Sequence, residues 1–335
     1  MRFSGLRVLK EGLTGNKGWQ AHWRDATPKP EYDVIIIGGG GHGLSTAYYL
    51  AKRHGITNVA VLEKGYLGGG NVGRNTTIVR ANYFLPGNSE FYSHSLKLWE
   101  GLEEDLNYNV MHSQRGQIVL FHSDGQRDAI ARRGNAMINR GDDAELLSVA
   151  QLKRMVPYLD YDQARFPIHG GLLQRRAGTA RHDAVAWGYA RGASDRGVDL
   201  IQNCEVTGID IENGRVRGVQ TTRGAIRAKK LAIVVAGRSS QVAAMAGGTL
   251  PIVEHVMEAG MTLMPMIGNA RVLRSWGGIM DMSPDGSPII DHAGIEGLYL
   301  NCGWCYGGFK AVPGSGDALA HLFLVIYSVG GLTGT

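Results

Sequence analysis

The sequence predicts an α/β fold: a parallel sheet flanked by helices, joined to a second, discontinuous region of α+β character. Three observations carry this. A β-branched run, Tyr32–Ile37, passes through a glycine cluster into a helical pattern and then a second apolar strand. An apolar strand returns much later, at Leu231–Ala236. Between them lie helices and short strands that do not repeat the strand–helix–strand unit.

The elements follow in order. Tyr32–Ile37 is a continuous apolar run and reads as a strand covered on both faces. Gly38-Gly39-Gly40-Gly41-His42-Gly43 leads into a helix from Leu44 to about His54, with Leu44, Ala47, Tyr48 and Ala51 on one face and Gly55 as its end. Asn58–Leu62 is the second strand. A second glycine loop, 68–75, follows it. Residues 88–106 read as one helix, Gln117–Phe121 as a strand and 126–140 as a surface helix. Ser148 caps a further helix. Asp183–Arg196 is helical, with Ala184, Trp187 and Ala190 inward. Strands then return at Asp199–Asn203, Glu205–Glu212, Arg215–Thr221 and Leu231–Ala236, with a hairpin turn at Asn213-Gly214. Gly297–Leu300 is the last expected strand.

Composition narrows the function. Glycine makes up 49 of 335 residues, against a usual ~7%. With no collagen period and only 10 prolines, these glycines serve tight turns and close backbone approach. The net charge of +5 and the lack of long Lys/Arg runs argue against nucleic-acid binding. Apolar runs are too short to span a bilayer, and the N-terminus has no signal-peptide pattern. Three cysteines favour a reducing, cytoplasmic setting over a disulfide scaffold.

Gly38-x-Gly40-x-x-Gly43 stands between a strand and a helix, and Glu63 ends the next strand, twenty residues on. The first glycine permits the tight turn, the second admits a pyrophosphate, and the third lets helix pack on strand. The helix N-terminus favours the phosphate charge, and Glu63 would accept ribose hydroxyls. An acid there disfavours a 2′-phosphate. The glycine loop directly after Glu63 and the late strand running into Gly237 favour FAD over NAD. Cys302-Gly303-Trp304-Cys305 has the C-x-x-C spacing, but it follows a strand rather than opening a helix, so neither redox nor zinc chemistry is favoured. No metal site is expected.

Five strings carry a family resemblance: DVIIIGGGGHGLSTAYYLAKRHGITNVAVLEKG, LGGGNVGRNTTIVRANY, RRAGTARHDAVAWGYARGA, LRSWGGIMDMSPDGSPIID and GWCYGGFKAVP. The chain resembles the β subunits of heterotetrameric sarcosine oxidases, within the glycine/D-amino-acid oxidase group of flavoproteins. The likeness covers about 5–250 and 253–313.

The resemblance implies a Rossmann-like FAD-binding domain and a second, truncated substrate domain. The domain division is a tail at 1–30, FAD-binding segments 31–95, 171–250 and 270–315, substrate segments 96–170 and 251–269, and a divergent tail at 316–335. It implies non-covalent FAD at Gly38, Gly40, Gly41, His42, Gly43 and Glu63. Asn71, Arg74, Asn75, Thr76 and Ile78 would run towards the flavin ring, and Val206, Gly237 and Gly308 would complete the site. It implies FMN bound covalently through His182, in Arg181-His182-Asp183. Read bare, His182 is more often a residue that caps the helix beginning at Asp183.

Arg80 and Lys310 match the family's carboxylate-binding positions; read bare, both are more often solvated charges. The implied activity is oxidative demethylation of sarcosine to glycine, a one-carbon unit (formaldehyde or methylene-tetrahydrofolate) and hydrogen peroxide; the alternatives are a related oxidoreductase acting on another amino acid or on dimethylglycine, and an inactive flavin-binding assembly subunit. The implied partners are oxygen, tetrahydrofolate and α, γ and δ subunits. Relatives carry several dozen further residues between Ile252 and Val253, and the likeness fades after Pro313.

Overall fold

A computed structural model describes residues 4–19, 21–24, 26–246, 280–283 and 285–329. The expected substrate segment 251–269 and the junction near 252 lie outside the described residues.

Helix α1 (Gly5–Leu13) precedes strand β1 (Glu31–Ile37), helix α2 (Gly41–His54) and strand β2 (Val59–Leu62). β1 pairs in parallel with β2, Val34 beside Val59 through Ile37 beside Leu62. Gly55 ends α2 in the left-handed conformation, φ +66°, and its N–H donates to the Leu50 carbonyl. The expected one-sided stripe is wider than predicted. Tyr49 and Leu50 are buried beside Tyr48 and Ala51, because α2 is enclosed by other helices as well as by the sheet.

The middle of the chain contains β3 (Ile78–Val79), α3 (Asn88–Glu100), α4 (Leu102–Leu106), β4 (Gln117–Phe121), α5 (Asp124–Asn139), β5 (Glu145–Leu147), α6 (Val149–Met155), β6 (Gly170–Gln174) and β7 (Gly178–Thr179). The single helix expected over 88–106 is broken at Gly101 into α3 and α4. Ser148 caps α6 with a full capping box, Gln151 answering it. β4, β6 and β5 form a small antiparallel sheet in that order.

Helix α7 (His182–Ser194) leads to β8 (Asp199–Ile201), β9 (Val206–Glu212), β10 (Arg215–Thr221), β11 (Gly224–Ile233), α8 (Ser239–Ala244), β12 (Ile289–His292), β13 (Leu298–Cys302) and α9 (Val312–Val329). The main sheet runs β12-β13-β11-β1-β2-β8, with β10 and β9 branching from β11. The pairs β8–β2, β2–β1, β1–β11 and β11–β13 are parallel. β11 begins seven residues before the expected Leu231, because its first half pairs antiparallel with β10 before its second half joins the parallel sheet. Its end is sharp: Ala236 turns at φ +48°.

Trp187 was expected to face inward, but it is 41% exposed. α7 meets its neighbours through Gly188 and Gly192, where an added Cβ would lie 3.1 Å from Leu106 and 2.9 Å from Tyr48. That approach is too close for an indole.

α3 buries Tyr92, Leu96 and Trp99 in the main core. β6 pairs with β4 and β5 in the small sheet. α9 buries Leu319, Ala320 and Phe323 against the main core.

Candidate active site

The glycine cluster is shaped by backbone contacts. Gly38 has φ +114°, and a Cβ on it would stand 2.3 Å from the Val234 carbonyl oxygen. A Cβ on Gly43 would stand 2.0 Å from the Gly38 carbonyl oxygen. Gly41 packs beside Val312 and Val72. Gly40 differs: no atom lies within 4 Å of where its Cβ would be. It opens α2 without a side-chain cap. Among the described residues, nothing accepts from the N–H groups of Gly40, Gly41, His42 or Gly43. Open space in front of unclaimed helix-terminal donors fits a dinucleotide pyrophosphate.

Glu63 accepts from the N–H of Gly39 and from that of Gly65, both at 2.9 Å. A carboxylate keeps further lone pairs for ribose hydroxyls, so the residues present fit FAD. The Cys204 N–H donates to the Glu63 carbonyl at 2.9 Å, which sets the 204–206 stretch alongside. The Val206 side chain is buried in the second core, leaving only its backbone for a ligand. The turn holding Gly237 follows β11, next to the Val234–Val235 contact with Gly38.

The His42 ring stacks on Trp304, centroids 4.4 Å apart at 13°, and hydrogen-bonds Ser315. Burial pushes its pKa down to about 3, a hydrogen bond at the Gly308 backbone only partly opposing this. The ring is therefore a neutral strut joining the 38–43 and 303–308 loops. Gly308 lies against it, its added Cβ 3.6 Å from Nε2.

Asn71–Arg74 forms a short 3-10 turn resting on the cradle through Val72. The Asn75 side chain is spent on this loop, donating to the Val72 carbonyl and accepting from the Thr77 N–H. Arg74, Thr76 and Ile78 are exposed.

Arg80 and Lys310, 230 residues apart in sequence, converge on one ring. The Arg80 guanidinium lies 5.0 Å and the Lys310 Nζ 5.9 Å from the Tyr83 centroid. Tyr83 itself stacks on Tyr92 at 3.6 Å. Lys310 is 6% exposed. Burial, then the neighbouring Arg80 charge, lowers its pKa to about 7. Its carbonyl accepts from Ser95 Oγ at 2.7 Å and Trp99 Nε1 at 2.9 Å, so α3 fixes it. Both cations use neutral acceptors: Arg80 donates to Asn82 Oδ1, and Lys310 to the Tyr306 carbonyl at 2.7 Å. Two adjacent cationic side chains without an acidic partner among the described residues fit a carboxylate.

His182 opens α7, half-exposed, on a surface cavity of about 490 Å³ lined with Thr77, Met111, Thr179, Ala180, Arg181 and Asp183. Among the described residues its ring nitrogens meet no hydrogen-bond partner. It is not the residue that caps α7: Arg181 holds that position, and Asp183 accepts from the Ala184 N–H. A ring free at both nitrogens fits a covalent flavin link.

Cys302 and Cys305 are free thiols. Burial, then Asp281, pushes Cys302 up to about 11, so it carries no thiolate. Among the described residues no His/Cys/Asp/Glu group could hold a metal.

Sequence reasoning missed Tyr83, Tyr92, Asn82 and Ser315. Arg80-Ala81-Asn82-Tyr83 stood in a string already singled out, but nothing local showed that Tyr83 would receive both cations.

The family described as DAO, FAD dependent oxidoreductase, matches residues 33–254 and 246–322. Sarcosine oxidase subunit beta of Rhizobium meliloti is 58% identical over 380 aligned positions, covering 96% of this chain and 91% of the relative. The subunit of the same name from Rhodobacter capsulatus is 43% identical, covering 98% and 93%. The 380-position alignment is longer than the chain itself, and the family match falls into two pieces that meet near residue 250. A stretch present in relatives is therefore absent from this chain there. Among solved structures, L-proline dehydrogenase from P. horikoshii superposes with TM-score 0.80 at 22% identity, covering 89% and 94%, which shows the shared fold. The chain belongs to the FAD-dependent oxidoreductase family, with the sarcosine oxidase β subunits.

Proposed function

We propose that this family member oxidises sarcosine as the β subunit of a cytoplasmic hetero-oligomer with α, γ and δ partners. It binds FAD non-covalently at the glycine cradle and carries FMN on His182. The observation that carries the reading is the convergence of Arg80 and Lys310, held by neutral acceptors, on Tyr83.

FAD at the cradle would supply the acceptor for the hydride equivalent lost by the N-methyl carbon, and a flavin held by His182 would supply the route for electrons to oxygen. The chain's own residues do the rest. Gly40–Gly43 and Glu63 orient the dinucleotide. Asn71 to Ile78, with Gly237, Gly308 and the Val206 backbone, complete the walls of that site. Arg80 grips the substrate carboxylate with a planar fork, and Lys310 adds a point charge. This fixes the N-methyl group at one distance from the dinucleotide, which is how positioning lowers the barrier. The imine product takes up water to give glycine and formaldehyde, or its one-carbon unit passes to tetrahydrofolate through a partner subunit. Oxygen leaves as hydrogen peroxide.

Co-expression with the partner subunits, followed by sarcosine addition, tests this. Bleaching of the flavin absorbance without oxygen, and stoichiometric peroxide with return of the absorbance once oxygen is admitted, are expected; a flavin-free complex overturns the reading. The stretch absent near residue 250 favours a second reading, a flavin-binding assembly subunit without turnover. Retained flavin that sarcosine does not reduce selects it.

A further inference from the structure

We propose that a cross-strand glutamine pair of the small sheet, acting through Asn82, positions Arg80 and so sets the affinity for the substrate carboxylate; this rests on the functional reading above. Gln117 of β4 and Gln174 of β6 face each other in register. Both reach the two residues after Arg80. Gln174 Oε1 accepts from the Ala81 N–H at 2.9 Å, and Gln117 Oε1 accepts from Asn82 Nδ2 at 3.0 Å. Asn82 Oδ1 then accepts from the Arg80 guanidinium. Gln174 is 1% and Asn82 3% exposed. Gln174 is anchored in turn to Asp143, whose other oxygen accepts from the Arg176 N–H at 2.8 Å.

The chemistry of the relay is the argument. Buried amides with both ends engaged cannot rotate without leaving a polar atom unpaired. The guanidinium is therefore held from a sheet that packs around its own small core, separate from the glycine cradle. The holding group is also neutral. An amide oxygen takes one of the five guanidinium N–H donors and leaves the charge, with the remaining donors, for a ligand. A carboxylate at position 82 would occupy the same place and neutralise that charge. Asn82, Gln117 and Gln174 are positioning residues: they meet Arg80 or its backbone, not the substrate.

Asn82→Asp in the FAD-loaded assembly is the test, since it keeps the side-chain shape and adds the competing charge. The KM for sarcosine should rise about tenfold or more while kcat stays within about twofold. The affinity for acetate, measured by calorimetric titration, should fall by the same factor. Flavin content should not change, and the thermal midpoint should fall, because the carboxylate loses the hydrogen bond that Asn82 Nδ2 donates to Gln117 Oε1. Gln117→Ala, a half-buried site, should raise KM by a smaller factor and carries the test if the aspartate variant fails to fold. Unchanged KM and acetate affinity in both variants overturns the inference, and so does a fall in kcat at constant KM. The functional reading fails separately: acetate binding that depends on Asn82, in a protein that sarcosine does not reduce, upholds the inference and overturns the reading.

Discussion

The glycine cradle and the cation pair are built in opposite ways. The cradle is contiguous, made of backbone, and held by contacts that exclude side chains at Gly38 and Gly43 while leaving Gly40 bare. The cation pair is made of two side chains 230 residues apart, brought to one aromatic ring by α3, the small sheet and the loop before α9. The cradle's tolerance is steric and near zero. The pair's tolerance is electrostatic and tunable, because its neutral acceptors leave the charge uncommitted. In the proposed function, one region binds the dinucleotide and the other selects the small molecule beside it.

The largest effect is expected inside the cradle. Gly43→Ala drives a methyl into the Gly38 carbonyl and should cost about 3 kcal/mol of stability, read as a lowered denaturation midpoint and loss of FAD. Gly40→Ala sharpens the contrast. Its Cβ meets nothing in the chain and its φ of −83° suits alanine. The flavin-free protein should unfold as wild type does, while FAD affinity falls about tenfold, or ~1.4 kcal/mol. Equal destabilisation by the two substitutions breaks the comparison.

Lys310→Met comes next, with a tenfold or larger rise in the sarcosine KM expected, of the order of 1.4 kcal/mol or more. The pH dependence separates binding from stability. The folded pKa of Lys310, about 7, lies below its ordinary 10.5. Below pH 7 the group is charged in folded and unfolded chains alike, and the burial penalty is fully present. Between about 7 and 10.5 the unfolded chain holds the extra proton, so stability rises with pH. Carboxylate binding runs the other way, so KM should rise with pH above about 7. Both trends should flatten in Lys310→Met, measured by thermal midpoints and KM at several pH values.

The smallest effect on the fold is expected at His182. His182→Ala should remove the flavin that stays with the polypeptide after denaturation, yet move stability by no more than about 0.5 kcal/mol, because the ring is half-exposed and bonds nothing among the described residues. Flavin retained covalently in that variant refutes the assignment.

Much of the fold was legible from local pattern. β1, α2, β2 and the Asn213-Gly214 hairpin follow from runs, glycines and turn residues that act within a few positions. Misreadings arose where a neighbour overrode local preference. Trp187 sits on an apolar-looking face, but Gly188 and Gly192 bring α7 too close to Tyr48 and Leu106 for it to turn inward. β12 went unseen because Asp291 and His292 hide an edge strand whose pairing comes from β13. The run Arg227 to Lys230 reads as polar, yet it forms the middle of β11, paired with β1 and, at Arg227, with β10 as well.

The sequence by itself determined the dinucleotide cradle, the acid at position 63 and the residue types of the cation pair. These depend on chain stereochemistry within one βαβ unit, or on identity alone. Only the tertiary structure decided that His42 is a strut, that Arg80 and Lys310 share Tyr83, and that Arg80 is hydrogen-bonded through Asn82 to Gln117 of the small sheet. Those facts concern distances between segments far apart in the chain. Such distances are fixed by packing, which no local run of residues encodes.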